Sequence, residues 1–250
     1  MPLVETDSLV IKTYDLADAD KIVVLFTWDH GIVRGVAKGA KRLKSRFGSG
    51  LEPFSEVRVT YFQKDNVELV SLDRVDILQS AFEYAADPVF LQKFSFLSEL
   101  LVSFLPPHDP NEKIYRMMRV CLDQARRDPN DLGAIGAYFQ LWLLRLTGFL
   151  PDWSRCHECR RQLDAEEEGD LQAGLEILCS GCRRSRSGRR MDAAHRDLVS
   201  AALRLSPTEF LPHARRRVVQ LDELVPTLNL LISRSLGREV IGETPIAATV

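Results

Sequence analysis

Four cysteines carry the sharpest chemical pattern in the chain. Cys156 and Cys159 form one C-x2-C pair and Cys179 and Cys182 a second, with 19 residues between the pairs. Each pair presents two thiolates from one tight turn, and two such turns close a tetrahedral four-sulfur shell around zinc. The interval suits a short β-ribbon that leaves the first turn and returns to the second. Two local or crossed disulfides are an alternative, as is a thioredoxin-like redox pair. A redox motif needs one C-x2-C beside a βαβ unit, whereas here two copies sit in a polar, turn-rich segment. Four thiolates leave no coordination position for an activated water, so the expected zinc is structural. The run Cys156-His157-Glu158-Cys159 lacks both halves of the zinc-deaminase signature, and His157 reads as merely exposed. Such an ion contributes on the order of 10 kcal/mol to ordering a segment with no core of its own.

A second chemistry-bearing stretch runs from Arg34 to Gly50. It holds six basic residues, Arg34, Lys38, Lys41, Arg42, Lys44 and Arg46, and no acidic one, with small residues and Phe47 interleaved. Ammonium and guanidinium groups release counterions from phosphates, and glycines let the main chain approach them. The bland reading is a solvated basic loop. Arg183, Arg184, Arg186, Arg189 and Arg190 form a second cluster, and Arg215-Arg216-Arg217 a third. The acidic run Asp164, Glu166, Glu167, Glu168 and Asp170 stands against phosphate binding at the tip of the cysteine ribbon.

No phosphate-cradling G-x-x-x-x-G-K-[ST], G-x-G-x-x-G, G-x-S-x-G or H-E-x-x-H occurs, and the five histidines are scattered. A binding protein is therefore expected rather than an enzyme. The net charge of −2 draws no nucleic acid globally, so local patches must do so. The start from Met1 to Asp7 has neither the basic nor the apolar region of a signal peptide, and Leu141–Leu150 is too short to span a bilayer. Zinc-type thiols without an export signal point to the cytoplasm. Cys121, on an apolar helical face, reads as a small buried hydrophobe.

The 250 residues, 45% hydrophobic, suffice for a sizeable core. Residues 1–80 read as β. Val4–Tyr14, Ile22–Trp28, Ile32–Ala37, Glu56–Phe62 and Val67–Leu78 are strand-like, with turns at Asp29-His30-Gly31 and Lys64-Asp65-Asn66. Five short strands with one long connection, Lys38–Pro53, suggest an OB-type barrel, with an SH3-like barrel as the competing fold. A helix follows from the Asp87-Pro88 start to Pro106-Pro107, a second from Glu112 to Arg127, and a third from a cap on Asp131 to Gly148. After the cysteine segment, helices are expected over Ala193–Leu205 and Leu224–Leu236, with Gly237 as the C-cap. The fold class is thus α+β and multidomain: a five-stranded OB-type barrel, then an α-helical domain carrying a four-cysteine zinc finger. The expected division is an OB domain at 1–80, a helical domain at 81–151 and 190–237, a zinc-finger insertion at 152–189, and a tail at 238–250.

Four stretches in this order resemble the RecO family of bacterial recombination mediators. They are Glu5–Ile11 into Tyr14; Lys38-Gly39-Ala40-Lys41-Arg42 running on to Leu51-Glu52-Pro53-Phe54; Leu146–Pro151 leading to Cys156-His157-Glu158-Cys159; and Leu236-Gly237-Arg238-Glu239. The resemblance implies an OB domain, a helical domain and a zinc finger. It also implies binding of single- and double-stranded DNA, annealing of complementary strands during DNA repair and recombination, a nucleoid-associated place in the cytoplasm, and two partners. One partner is RecR, and the other is the C-terminal tail of single-stranded DNA-binding protein. After Glu239 the chain is less basic than the family pattern.

On this reading the six cations from Arg34 to Arg46 grip phosphates, while Trp28, Tyr61 or Phe62 stack bases. The acidic, aromatic-ended partner tail is expected in a groove near Leu141, Leu144 and Arg145, with the guanidinium meeting the carboxylate. Two rivals remain: a zinc-stabilised scaffold for protein assembly with incidental nucleic-acid binding, and an RNA-binding OB protein.

Overall fold

In the computed structural model, residues 2–63, 68–84, 86–183 and 189–238 are described. Five strands open the chain: β1 (Leu3–Leu16), β2 (Asp20–Thr27), β3 (Gly31–Ala37), β4 (Glu56–Phe62) and β5 (Leu69–Gln79). They close into a barrel in the order β1-β2-β3-β5-β4, the OB arrangement rather than an SH3-like one. The 14-residue β1 serves both neighbours. Leu3–Leu9 pair with β4, Ser8–Leu16 pair with β2, and a register shift between Val10 and Lys12 bends the strand from one to the other. Closure depends on a short parallel contact of β3 with β5, in which Arg34, Gly35 and Val36 face Leu69, Val70 and Ser71.

Period-two alternation fills the interior. Val57, Val59 and Tyr61 of β4 point inward, while Arg58 between them points out and takes Asp7 across the β1–β4 ladder at 2.8 Å. The Asp29-His30-Gly31 turn forms as the sequence predicts. The His30 N–H donates to Thr27 Oγ1 at 3.0 Å, and Gly31 adopts φ +65°. A Cβ on Gly31 would lie 2.3 Å from the Asp109 carbonyl oxygen, so only glycine fits. The Lys64–Asn66 turn lies outside the described residues.

Helices α1 (Pro88–Phe104) and α2 (Glu112–Arg127) begin at side-chain caps. Asp87 accepts from the Val89 N–H and Asn111 from the Ile114 N–H. Both helices pack on the barrel. Phe54 meets Phe90 and Phe94 of α1 at 5.8 Å between ring centroids, and Tyr115 of α2 lies 5.3 Å from Phe26. Arg119 pairs with the nearly buried Glu56 at 3.0 Å, and Arg126 donates to the Phe54 carbonyl. Barrel, α1 and α2 together form one compact unit, up to residue 129.

The second unit starts at residue 130. Its centre is α3 (Leu132–Leu146), with α4 (Ala193–Arg204), α5 (Pro207–Arg215) and α6 (Val218–Leu236) around it. Trp142 Nε1 donates to the Ala202 carbonyl at 2.8 Å and Tyr138 Oη to that of Leu205 at 3.2 Å. Asp131 precedes α3 but does not cap it. Its carboxylate takes Arg215 Nε and Nη2 of α5 instead, at 2.7 and 2.6 Å. Helix α5 and the first turns of α6, before Leu224, go beyond the sequence expectation; Pro212 stands inside α5, and Pro226 inside the expected part of α6. The signal for α5 is present in Ser206-Pro207-Thr208-Glu209: the Glu209 carboxylate accepts from the Ser206 N–H at 3.0 Å, half of a capping box. Gly237 ends α6 at φ +62°.

Between α3 and α4 the chain forms a small sheet of β6 (Gly169–Leu171), β7 (Ile177–Leu178) and β8 (Arg189–Met191), ordered β7-β6-β8. β6 and β7 are the expected ribbon between the cysteine turns. The expectation that this segment lacks apolar packing is corrected: Trp153, Leu163, Leu171, Leu175 and Ile177 are buried, and Trp153 Nε1 donates to the Leu175 carbonyl at 2.7 Å.

Candidate metal centre and nucleic-acid interface

The two cysteine turns converge. In the first, the Arg160 N–H bonds back to the Cys156 carbonyl at 2.9 Å, with Arg160 at φ +60°. In the second, the Cys182 and Arg183 N–H groups bond to the Cys179 carbonyl at 3.2 and 3.1 Å. The Sγ atoms of Cys156, Cys159, Cys179 and Cys182 all lie within 4.8 Å of one another, and those of Cys159 and Cys179 are 3.8 Å apart. A tetrahedral shell of sulfurs at metal–sulfur distances near 2.3 Å has edges of about 3.8 Å, so the four fit one ion. All four are free thiols rather than disulfides.

The surroundings of Cys156 and Cys179 favour thiolates, whereas hydrogen bonds to Cys159 and Cys179 push Cys182 up to about 12. Burial pushes the Cys156 thiol up, but N–H donors from Cys179, Cys159 and Glu158 outweigh it and bring the group down to about 6. Cys179 is lowered too, against its own burial, by the Cys182 N–H and the Arg161 guanidinium. Arg161 is held in turn by Glu167 at 2.7 Å, whose carboxyl the guanidinium brings down to about 2. Cys121 is different in kind. It is buried on α2, and burial alone pushes its thiol up to about 12, as suits an inert core residue.

The connection from Lys38 to Pro53 is a chain of turns anchored in the barrel. The Gly39 N–H donates to Asp20 at 2.8 Å and the Lys41 N–H to the Ala19 carbonyl at 2.9 Å. Phe47 and Leu51 drop into the barrel core. Phe47 is therefore an anchor, not a stacking surface. Of the six expected cations, three carry acidic neighbours: Arg34 with Glu68 at 3.3 Å, Lys41 with Asp15 at 3.0 Å, and Arg46 with Asp73 at 3.4 Å. Lys38, Arg42 and Lys44 are exposed and have no ion-pair partner among the described residues.

The expected stacking aromatics fare unequally. Tyr61 is 1% exposed inside the barrel, so its ring is out of reach of a base. Its inward place follows from the alternation of β4. Trp28 is half-buried, edge-on to Tyr115 and with the Arg116 guanidinium 5.3 Å above its ring. Phe62 is half-buried.

The expected groove on α3 is likewise corrected in part. Leu141 and Leu144 are fully buried in the second unit, because α3 is apolar on nearly every face. Arg145 is exposed and lines an adjoining cavity of about 630 Å³ with Leu150, Val199, Leu203 and Arg204.

Most described arginines of the other basic clusters have partners within the fold. Arg183 takes the buried Asp170 at 2.9 Å, Arg190 takes Glu168 at 3.4 Å, and Arg189 donates to Thr227 at 2.6 Å. Arg217 takes Asp197 at 2.6 Å, beside the Arg215–Asp131 pair. Arg184 and Arg186 lie outside the described residues, as does the tail after Arg238. Among the described residues no helix is long and apolar enough to cross a membrane.

A closed OB barrel with a basic connection, joined to helices that carry a four-thiol centre, defines a class of modular OB-fold protein. The chain belongs to the RecO family: residues 1–81 match Recombination protein O N terminal, and residues 93–240 match Recombination protein O C terminal. Three curated relatives bear the name DNA repair protein RecO. That of Koribacter versatilis is 36% identical over 162 residues, 65% of this chain and 66% of the relative. That of Geobacter metallireducens is 32% identical over 187 residues, 74% of each chain. That of Symbiobacterium thermophilum is 32% identical over 187 residues, 73% of this chain and 72% of the relative.

Proposed function

We propose that this protein is a DNA-binding mediator of repair and recombination that anneals complementary single strands and acts without catalysis of its own. The observation that carries the reading is the anchored connection on the OB barrel, where Lys38, Arg42 and Lys44 stand exposed with no ion-pair partner among the described residues. Arg34, Lys41 and Arg46 already have acidic neighbours and join the phosphate contact only by exchanging them. Family membership supports the repair role, since the relatives carry that name. Annealing requires no bond chemistry. It requires two strands held by screened, mobile contacts while complementary bases find one another, and such contacts weaken steeply with salt.

The ion at the four thiolates is read as one structural zinc, on donor chemistry and sulfur spacing. Its role is to hold the two cysteine turns together, and metal analysis of reduced protein should return one zinc per chain. The partners read from the family resemblance are single- and double-stranded DNA, RecR, and the acidic tail of single-stranded DNA-binding protein. For that tail the cavity beside Arg145 replaces the groove at Leu141 and Leu144. Arg145 and Arg204 would meet carboxylates, and Leu150, Val199 and Leu203 the aromatic end. The reading places the protein in the cytoplasm at the nucleoid.

The test is annealing of two complementary oligonucleotides coated with single-stranded DNA-binding protein, with and without this chain. Acceleration that fades as salt rises is expected. No acceleration, with the coat protein's tail still bound, would replace the reading by an assembly scaffold.

A further inference from the structure

One apolar side chain stands out at the tip of the basic connection. Leu43 is 102% exposed, the highest value among the exposed large hydrophobic residues described. It occupies the second position of a turn that the Ser45 N–H closes onto the Arg42 carbonyl at 2.9 Å. Before the tip, the Arg42 N–H bonds to the Gly39 carbonyl at 3.1 Å and Lys41 is tied to Asp15 and Ala19. After it, Arg46 donates to the Leu72 carbonyl at 3.1 Å and Phe47 is buried in the barrel. The tip is therefore fixed at both ends and cannot fold back to bury Leu43. An isolated leucine held in water forgoes the transfer free energy that burial of its side chain would recover.

We propose that Leu43 is a wedge that enters between neighbouring bases of a strand whose phosphates are held by Lys38, Arg42 and Lys44. The proposal rests on the DNA-binding reading of the same loop and gives it a contact with the bases. Charge complementarity decides the occupant. Cations without an ion-pair partner among the described residues stand on both sides of Leu43 in the sequence and a third lies five residues before it, so the arriving surface is polyanionic. Of a bound strand, the faces of stacked bases are what an aliphatic side chain can cover. Apolar wedges of this kind partly unstack a base step, and the phosphate contacts compensate the unstacking. A strand with locally unstacked bases presents its pairing edges to a complement, which is what annealing needs.

The test uses the full chain and a single-stranded oligonucleotide with one 2-aminopurine between purines, whose fluorescence rises when it unstacks. Wild-type protein at saturation should raise the signal at least about twofold. Leu43→Ala should bind about fivefold more weakly, with an unchanged dependence of affinity on salt because no phosphate contact is lost, and should lose the rise. Leu43→Met should keep it. The combined Lys38→Glu, Arg42→Glu, Lys44→Glu variant should bind at least about a hundredfold more weakly. If that variant binds like wild type, the loop is not the DNA interface and the wedge falls with it. If the variant loses binding but Leu43→Ala keeps the full rise, the wedge alone is overturned. Sedimentation with vesicles of anionic phospholipid that depends on Leu43, with no rise on DNA, would assign the tip to a membrane surface and overturn the proposal.

Discussion

The barrel connection and the cysteine-bearing ribbon are both rich in arginine or lysine, yet they put their charge to different use. Along Lys38–Arg46 the cations outnumber the acids within reach, and among the described residues three of them have no ion-pair partner. Around the ribbon each described arginine of the basic cluster finds a partner: Arg183 finds Asp170, Arg190 finds Glu168, and Arg189 finds Thr227. The acidic run that breaks up the ribbon is thus an internal counter-charge more than a barrier to phosphate. A run of basic residues becomes a binding surface only after its own fold has been subtracted from it.

That contrast can be broken most severely at the metal centre. Cys156→Ser, or chelation of the reduced protein, removes a stabilisation on the order of 10 kcal/mol. The ribbon and Trp153 should lose hydrogen-exchange protection while strand binding by the barrel stays within about twofold, because the barrel belongs to a separate compact unit with a core of its own. Loss of strand binding together with the metal would show that the ribbon takes part in it.

The next largest effect compares the two basic regions directly. Lys38→Glu, Arg42→Glu and Lys44→Glu together should lower affinity for single strands at least about a hundredfold at low salt and flatten the log–log salt slope by about 2. Arg190→Gln with Arg217→Gln should leave both within error. Equal losses from the two sets would abolish the distinction.

Arg215→Ala measures the structural use of an arginine. It leaves the Asp131 carboxylate, 4% exposed, without its fork, and a urea midpoint should report about 2 kcal/mol of destabilisation with strand binding unchanged. The smallest effect lies within the loop. Lys44→Gln should reduce the salt slope by about 0.7, and Lys41→Gln by less, since Lys41 already has Asp15.

Much of this was legible in the sequence. The cysteine spacing gives the thiol cluster, and alternation gives β4 to the residue. The Asp87-Pro88 signal and the 112–127 stripe give α1 and α2. Other features needed three dimensions. The sequence reading misses helix α5, whose span carries Pro212 and starts at a Ser206–Glu209 capping signal. Asp131 reads as a cap because its type and place are right, but a guanidinium 84 residues away competes for it successfully. Leu141 and Leu144 read as one side of a groove because an all-apolar helix does not say which face is covered. Tyr61 was within reach, since the period that buries Val57 and Val59 buries it as well.

The parallel contact between β3 and β5 has a consequence for motion. Three residue pairs close the ring there, against seven where β1 meets β4 and seven where β2 meets β3. Gly35 stands in its middle, where a Cβ would press on the Leu72 side chain at 2.7 Å. The ring therefore has a seam, and local opening should begin along it. The Arg34–Glu68 pair lies over the same seam. A phosphate that drew Arg34 away from Glu68 would remove one exposed ion pair from the seam, a small loosening of the barrel.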